Sequence, residues 1–299
     1  MVDAHGCIVY THVPWGEYVP IYTQRGFLHC LFGYKGILRP QKADKQIKKS
    51  AFFVYVLMIP KIIHYCWFGG NPIPEHLRQY MQTWSALMPE WEIREWNEQN
   101  YAIEKAPLYV QQAYAAKKFA FVSDYVRLLA LEKFGGVYLD TDVEVVKSFE
   151  PLLKNKVFMG LEESLAHLPG TCVMGCEPHS SWAKDMLRTY DDAVFAKPDG
   201  SYDLTTNVQR MGKVICEHGF VRNRNEQFIE EWGLHIYTHD YFSPITSTRV
   251  MRKTNNTYAI HHLESSWSGK KRSIIPKGKV YYEIVNFLIQ IKRKLKGID

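Results

Sequence analysis

Gly135-Gly136-Val137-Tyr138-Leu139-Asp140-Thr141-Asp142 is the stretch that decides how this 299-residue chain folds. Val137 to Leu139 is apolar and β-branched or aromatic, which predicts a central strand, and the glycine pair closes the helical pattern before it. The strand runs straight into two carboxylates. In an open α/β sheet, ligands collect beyond the carboxyl ends of the strands, so Asp140 and Asp142 stand where a site is expected. Residues two apart on an extended chain share a side, which turns both carboxylates toward one ligand and Thr141 away. Such a pair suits a hard divalent cation bridging a diphosphate. An arbitrary Asp-x-Asp is more often a solvated acidic turn; the buried strand and the paired glycines argue against that outcome here.

Working upstream, a helix is expected from about Lys118 to Phe134. Asp124 and Arg127 lie at i, i+3 on one face, with Ser123 beside them. As a surface ion pair they would contribute under about 1 kcal/mol. Ala120 and Leu131 share roughly that face, however, and turn it inward, where an Asp and an Arg make a hydrogen-bonding platform for hydroxyls and phosphate oxygens. Further upstream, Ile59 to Phe68 is an apolar run closed by Gly69-Gly70, read as a buried strand entering a turn. Pro74 to Met88 reads as a helix with Leu77, Tyr80, Met81 and Trp84 on one face, and Trp91 to Trp96 alternates like a strand. Strand, helix, strand opens an α/β sheet with crossover connections. Downstream, Val157 to Leu161, Cys172 to Gly175 and Tyr258 to His262 read as strands. Ser181 to Val194, Val208 to Glu217 and the basic Val280 to Lys296 read as helices. Residues 1 to 50 hold no apolar face for even two helical turns.

The formal charge of +6 suggests nucleic acid until it is divided along the chain. Residues 1–57 carry 7 basic and 3 acidic side chains, residues 268–299 carry 9 and 2, and the stretch between them holds 21 basic against 26 acidic. A domain of net −5 is a poor binder of a phosphate backbone, so no nucleic-acid partner is expected. Six cysteines (Cys7, Cys30, Cys66, Cys172, Cys176, Cys216) form no C-x-x-C pair and no dense even spacing, which points to free thiols. Ala51 to Ile63 is too short to span a bilayer of about 30 Å. Composition, 46% hydrophobic and 23% charged, excludes a disordered polymer.

Three segments together resemble glycosyltransferase family 32: Ile59-Pro60-Lys61-Ile62-Ile63-His64-Tyr65-Cys66-Trp67-Phe68-Gly69-Gly70, Phe121-Val122-Ser123-Asp124-Tyr125-Val126-Arg127, and the Gly135 to Asp142 stretch. The glucosylating domains of the large clostridial toxins are more distantly similar. The resemblance implies a GT-A fold, a nucleotide-sugar-binding mixed α/β sheet flanked by helices in a single catalytic domain over residues 58–267. Residues 1–57 are then an extension outside that domain, with the functional protein beginning near Met58, and 268–299 a basic tail with an amphipathic helix.

The implied activity is metal-dependent, retaining transfer of a hexose from a UDP- or GDP-sugar donor to a glycan acceptor, in capsular, surface polysaccharide or lipopolysaccharide synthesis. Trp67 would stack on the nucleotide base. Asp124 and Arg127, with Ser123, would hold the donor sugar, Asp140 would contact ribose and sugar, and Asp142 would bind the metal, Mn2+ or Mg2+. His261-His262-Leu263-Glu264-Ser265-Ser266-Trp267 resembles the family's closing motif, in which a His and a Ser-Trp pair, here Ser266 and Trp267, reach the metal and diphosphate. His262 is favoured over Glu264 as the further ligand, and an imidazole there favours manganese. The Asp203 to Asn207 loop faces either acceptor, donor sugar or solvent.

Two other classes use the same features. A phosphohydrolase forming an aspartyl phosphate needs a second acidic pair, for which Asp191-Asp192 is the tempting match, and would release phosphate without an acceptor sugar. A non-catalytic nucleotide-sugar binder would bind without turnover. The expected placement is cytoplasmic, with peripheral contact to an anionic membrane through the C-terminal helix, where Val280, Ile284, Phe287, Leu288, Ile291 and Leu295 form an apolar stripe beside four basic residues. The alternative takes 51–57 as the end of an N-terminal anchor and places the enzyme in a secretory lumen, where the Asn255-Asn256-Thr257 sequon is a glycosylation acceptor.

Overall fold

The computed structural model describes residues 58–162, 168–222, 225–246 and 249–264. The extension before Met58, the expected helix over 280–296, Ser266 and Trp267 lie outside the described residues. Among the described residues the sheet has seven strands: β1 (Ile62–Cys66), β2 (Glu92–Trp96), β3 (Gly136–Leu139), β5 (Val157–Glu162), β6 (Leu168–Cys176), β7 (Gln227–Ile229) and β8 (Leu234–Tyr237), in the order β2-β1-β3-β6-β5-β8-β7. β1 is parallel to both β2 and β3, while β6 runs antiparallel to β3 and β5, so the sheet is mixed as expected. A separate two-stranded ribbon pairs β4 (Val143–Val145) with β9 (Ala259–His261).

Among the described residues five α-helices flank it: α1 (Glu75–Leu87), α2 (Leu108–Ala115), α3 (Phe119–Phe134), α4 (Ser181–Arg188) and α5 (Asn207–Glu217). Side-chain alternation along β3 divides the core. Val137 and Leu139 join a cluster with Ile63, Trp84, Phe149 and Phe158, whereas Tyr138 joins Val126, Leu131, Met174 and Trp182 on the other face. The first cluster ties α1 to the ribbon, where Trp84 Nε1 donates to the Val143 carbonyl at 2.8 Å. Among the described residues no helix is long and apolar enough to cross a membrane.

Differences from the sequence reading are local. α4 ends at Arg188 rather than Val194, and Asp191 and Asp192 are exposed in the turn beyond it. β4, β7, β8 and α2 were not anticipated. The glycine pair is steric in purpose: Gly136 has φ +95°, and a Cβ there would lie 2.6 Å from the Ile62 carbonyl, so only glycine lets β3 close onto β1.

Candidate active site

The acidic pair lies in a tight turn between β3 and β4, with the Val143 amide donating to the Asp140 carbonyl at 3.0 Å. The two carboxylates come together because the chain turns, and not because an extended strand alternates. Asp140 is anchored by the neighbouring β6 and by its own strand. Its amide donates to the Cys172 carbonyl at 2.9 Å, and its Oδ1 accepts from the Tyr138 hydroxyl at 3.0 Å.

Arg127 organises the rest. Its side chain comes from the middle of α3, lies over the Tyr138 ring at 4.5 Å and is only 6% exposed. The guanidinium reaches Asp124 Oδ1 at 3.2 Å and Asp140 Oδ1 at 3.1 Å, and it donates to the carbonyls of Ser123 and Thr171 at 3.2 and 3.1 Å. Asp124 accepts in addition from the Asn207 amide at 3.0 Å, at the first turn of α5. That turn is fixed by a capping box between Thr206 and Gln209. Burial pushes the Asp124 and Asp140 carboxyls above the ordinary range, and Arg127 pulls both back. Ser123 donates its hydroxyl to the Phe119 carbonyl at 3.1 Å, one helical turn earlier. Asp203, in the loop before α5, pairs with Arg210 of that helix.

His261, and not His262, meets the acidic turn. His261 Nε2 lies 3.4 Å from Asp142 Oδ2, and ligand atoms of Asp140, Asp142 and His261 all fall within 4.8 Å of one another. His262 faces the other way. Its Nε2 is 2.9 Å from Glu144 Oε2, and its ring stacks on Tyr80 at 3.9 Å and 8°. The register explains this: Val143 pairs with His261 across the β4–β9 ribbon, and the next residue turns to the opposite side. Leu263 then adopts a left-handed conformation (φ 56°), which brings the Glu264 amide to Asp142 Oδ2 at 2.9 Å. Glu264 therefore contributes its backbone N–H to Asp142. Arg249 holds that turn by donating to the His262 and Leu263 carbonyls, each at 2.7 Å. Burial raises the Asp142 carboxyl, but the His261 imidazole and the Glu264 amide more than offset it and hold it at about 2.

Trp67 stands apart, just past the end of β1. Its Nε1 donates to the Asn71 carbonyl at 2.6 Å, and it is half-buried. It lines an open cleft of about 490 Å3 with Gly69, Asn97, Glu98 and Tyr114 at the carboxyl ends of β1 and β2.

Residues 74–159 match the family described as the glycosyltransferase sugar-binding region containing the DXD motif. The chain carries a glycosyltransferase DXD region. The match spans α1 to β5 and includes Asp124, Arg127, Asp140 and Asp142, and so covers the second and third of the three motifs but not the Ile59 to Gly70 segment. Glucan organizing enzyme 1 of Cryptococcus neoformans is 46% identical over 146 residues, 46% of this chain and 34% of that protein. Inositol phosphoceramide mannosyltransferase 3 of Schizosaccharomyces pombe is 33% identical over 98 residues, 32% of this chain and 27% of that protein. The chain thus spans about a third of the length of these curated relatives. Among solved structures, the galactosyltransferase LgtC with donor and acceptor sugar analogues aligns over 74% of this chain and 94% of its own, at 14% identity and a TM-score of 0.41.

The sequence reading placed Asp124, Arg127, Asp140 and Asp142 together, and the DXD region does bring them together. It missed Thr171, and it favoured His262 as the further ligand, whereas the histidine whose ring lies beside Asp142 is His261. The motif contained both histidines; only the pairing with β4 distinguishes them.

Proposed function

We propose that the chain is a metal-dependent, retaining glycosyltransferase that moves a hexose from a UDP- or GDP-linked donor to a glycan acceptor in polysaccharide or glycan assembly. The observation that carries this reading is the convergence of Asp140, Asp142 and His261 beside the Arg127–Asp124 pair, at the carboxyl end of β3. Two carboxylates and an imidazole fit Mn2+ as well as Mg2+, with the nitrogen donor favouring manganese. A divalent ion held there supplies positive charge opposite the leaving diphosphate.

The protein's own groups do the positioning. Asp142 is the freer of the two carboxylates, because Asp140 is held by Arg127 and Tyr138 while Asp142 meets only His261 and the Glu264 amide among the contacts described. Arg127, saturated by protein acceptors, orients Asp124 and Asp140 as acceptors for donor hydroxyls. Trp67 offers a ring to the nucleotide base at the edge of its cleft. Mannose is the favoured hexose, since the fission-yeast relative is named as a mannosyltransferase. In the lumenal alternative Asn255, exposed in a turn, is the glycosylation acceptor.

The test is a screen of UDP- and GDP-hexoses for donor hydrolysis with and without Mn2+. Manganese-dependent release of the sugar from one donor supports the reading. Phosphate release from sugar phosphates without an acceptor would instead indicate a phosphohydrolase, and tight binding without turnover a nucleotide-sugar binder.

A further inference from the structure

Glu162 is a carboxylate that the reading above does not use. It ends β5, is 4% exposed, and sits on the far side of the His261 ring from Asp142. His261 Nδ1 lies 3.6 Å from Glu162 Oε2, while Nε2 of the same ring lies 3.4 Å from Asp142 Oδ2. Nδ1 is buried and has no hydrogen-bond partner at this separation. A carboxylate is not buried without a strong local reason.

Local structure makes room for it. The β5–β6 register shifts between Met159 and Gly160, and such a bulge re-aims the side chains beyond it. Gly170 on β6 faces the carboxylate: a Cβ there would meet Glu162 Oε2 at 3.0 Å and its Cβ at 3.2 Å. Cys172 lies on the same side, its sulfur within 4.8 Å of ligand atoms of both Glu162 and His261.

We propose that Glu162 is a positioning residue of the metal site: its carboxylate accepts a hydrogen bond from Nδ1–H of His261 and so keeps Nε2 turned toward Asp142. A histidine that ligates a metal through one nitrogen commonly donates the other N–H to a carboxylate, which fixes tautomer and ring orientation and raises the basicity of the ligating nitrogen. Here both ring nitrogens already face carboxylates from different elements, β5 and the β3–β4 turn. The proposal rests on the metal reading of Asp140, Asp142 and His261.

The experiment uses the full chain and Mn2+ alone, without nucleotide. Free Mn2+ is followed by electron paramagnetic resonance, and the His261 Nδ1–H proton by 15N-histidine NMR on the metal-free protein. Glu162→Gln keeps shape and an acceptor but removes the charge, and is expected to weaken Mn2+ binding about 10- to 100-fold. It should also move the Nδ1–H resonance upfield, with an unchanged thermal midpoint in the absence of metal. Glu162→Asp keeps the charge and should recover part of the affinity; it also serves if the Gln variant does not fold. Wild-type Mn2+ affinity or an unmoved resonance in folded Glu162→Gln would overturn the role of Glu162. A wild-type protein that binds no Mn2+ would overturn the metal reading itself, and the positioning role with it.

Discussion

Arg127 and Asp140, 13 residues apart and on different elements, meet at 3.1 Å between Nη1 and Oδ1, and the same guanidinium meets Asp124 at 3.2 Å. One buried cation thus links the middle of α3 to the DXD turn. Its fold and its function are not separable at this point, because the contacts that neutralise Arg127 are also those that orient the two carboxylates.

Removing Arg127 should therefore cost stability as well as activity. Arg127→Ala leaves Asp124 and Asp140 facing each other without their shared cation, and breaking a buried pair in this way costs about 3 to 5 kcal/mol. Arg127→Lys keeps a charge but cannot span two carboxylates and two carbonyls at once. Denaturant unfolding of both variants measures the loss. An Arg127→Ala protein as stable as wild type would show that the cluster is not neutralised by Arg127.

The acidic pair at the end of β3 was legible in the sequence because its determinants are contiguous, two glycines, three strand residues and Asp-x-Asp, but the turn that folds the pair was not. The helix bearing Asp124 and Arg127 was legible for the same reason. β7 and β4, three residues each, were not, since a strand that short shows less than two periods of alternation. The choice between His261 and His262 could not be read either. It depends on which of them stands opposite Val143, a partner 118 residues away.

Asp142 is the carboxylate least committed to Arg127, and its substitution tests the metal reading most directly. Asp142→Asn should lower donor hydrolysis by about three powers of ten, the equivalent of several kcal/mol of charge stabilisation. Chelation of the wild type should give a loss of similar size, reversed by added Mn2+. Near-normal turnover of the variant in saturating Mn2+ would remove Asp142 from the metal site.

His64 gives the fold a pH dependence unrelated to the site. Its ring is fully buried, accepting at Nδ1 from Trp96 Nε1 at 3.1 Å and donating at Nε2 to the Gly135 carbonyl at 2.9 Å. Burial is the largest cause of its lowered pKa, about 4 against 6.5, and the Gly135 bond opposes that shift. Above pH 6.5 neither folded nor unfolded His64 is charged, so its full contribution is present. Between 6.5 and 4 only the unfolded chain takes up the proton, and stability falls as pH falls, by about 3 kcal/mol in total. Unfolding measured from pH 7.5 to 4.5 should show this slope, and His64→Gln, which keeps a donor and an acceptor without titrating, should lose it. Equal slopes in the two proteins would assign the pH dependence to other groups.

Trp67→Ala should weaken binding of the free nucleotide by about 1 to 3 kcal/mol, the usual worth of a base stacked on an aromatic ring. Its half-buried position and the cleft beside it make the ring available for stacking. Calorimetric titration of UDP and GDP into the folded variant is the measurement. Affinity unchanged for both would return Trp67 to a purely structural role.

The two adjacent histidines provide a paired test, because the ribbon sends them to opposite sides. His261 faces Asp142 at 3.4 Å, so His261→Ala should remove a ligand from the Mn2+ site and weaken binding of Mn2+. The His262 side chain is bonded to Glu144 at 2.9 Å and stacked on Tyr80, contacts that join the end of β9 to β4 and α1 rather than to the Asp142 carboxylate. His262→Ala should leave Mn2+ affinity within about twofold of wild type while costing about 1 kcal/mol in stability through the lost stack and hydrogen bond. Both effects can be read from one preparation of each variant, by Mn2+ titration and by thermal unfolding without metal. The reverse pattern, with Mn2+ affinity lost in His262→Ala and kept in His261→Ala, would mean that the turn at Leu263 rearranges when metal binds and delivers the second histidine in place of the first.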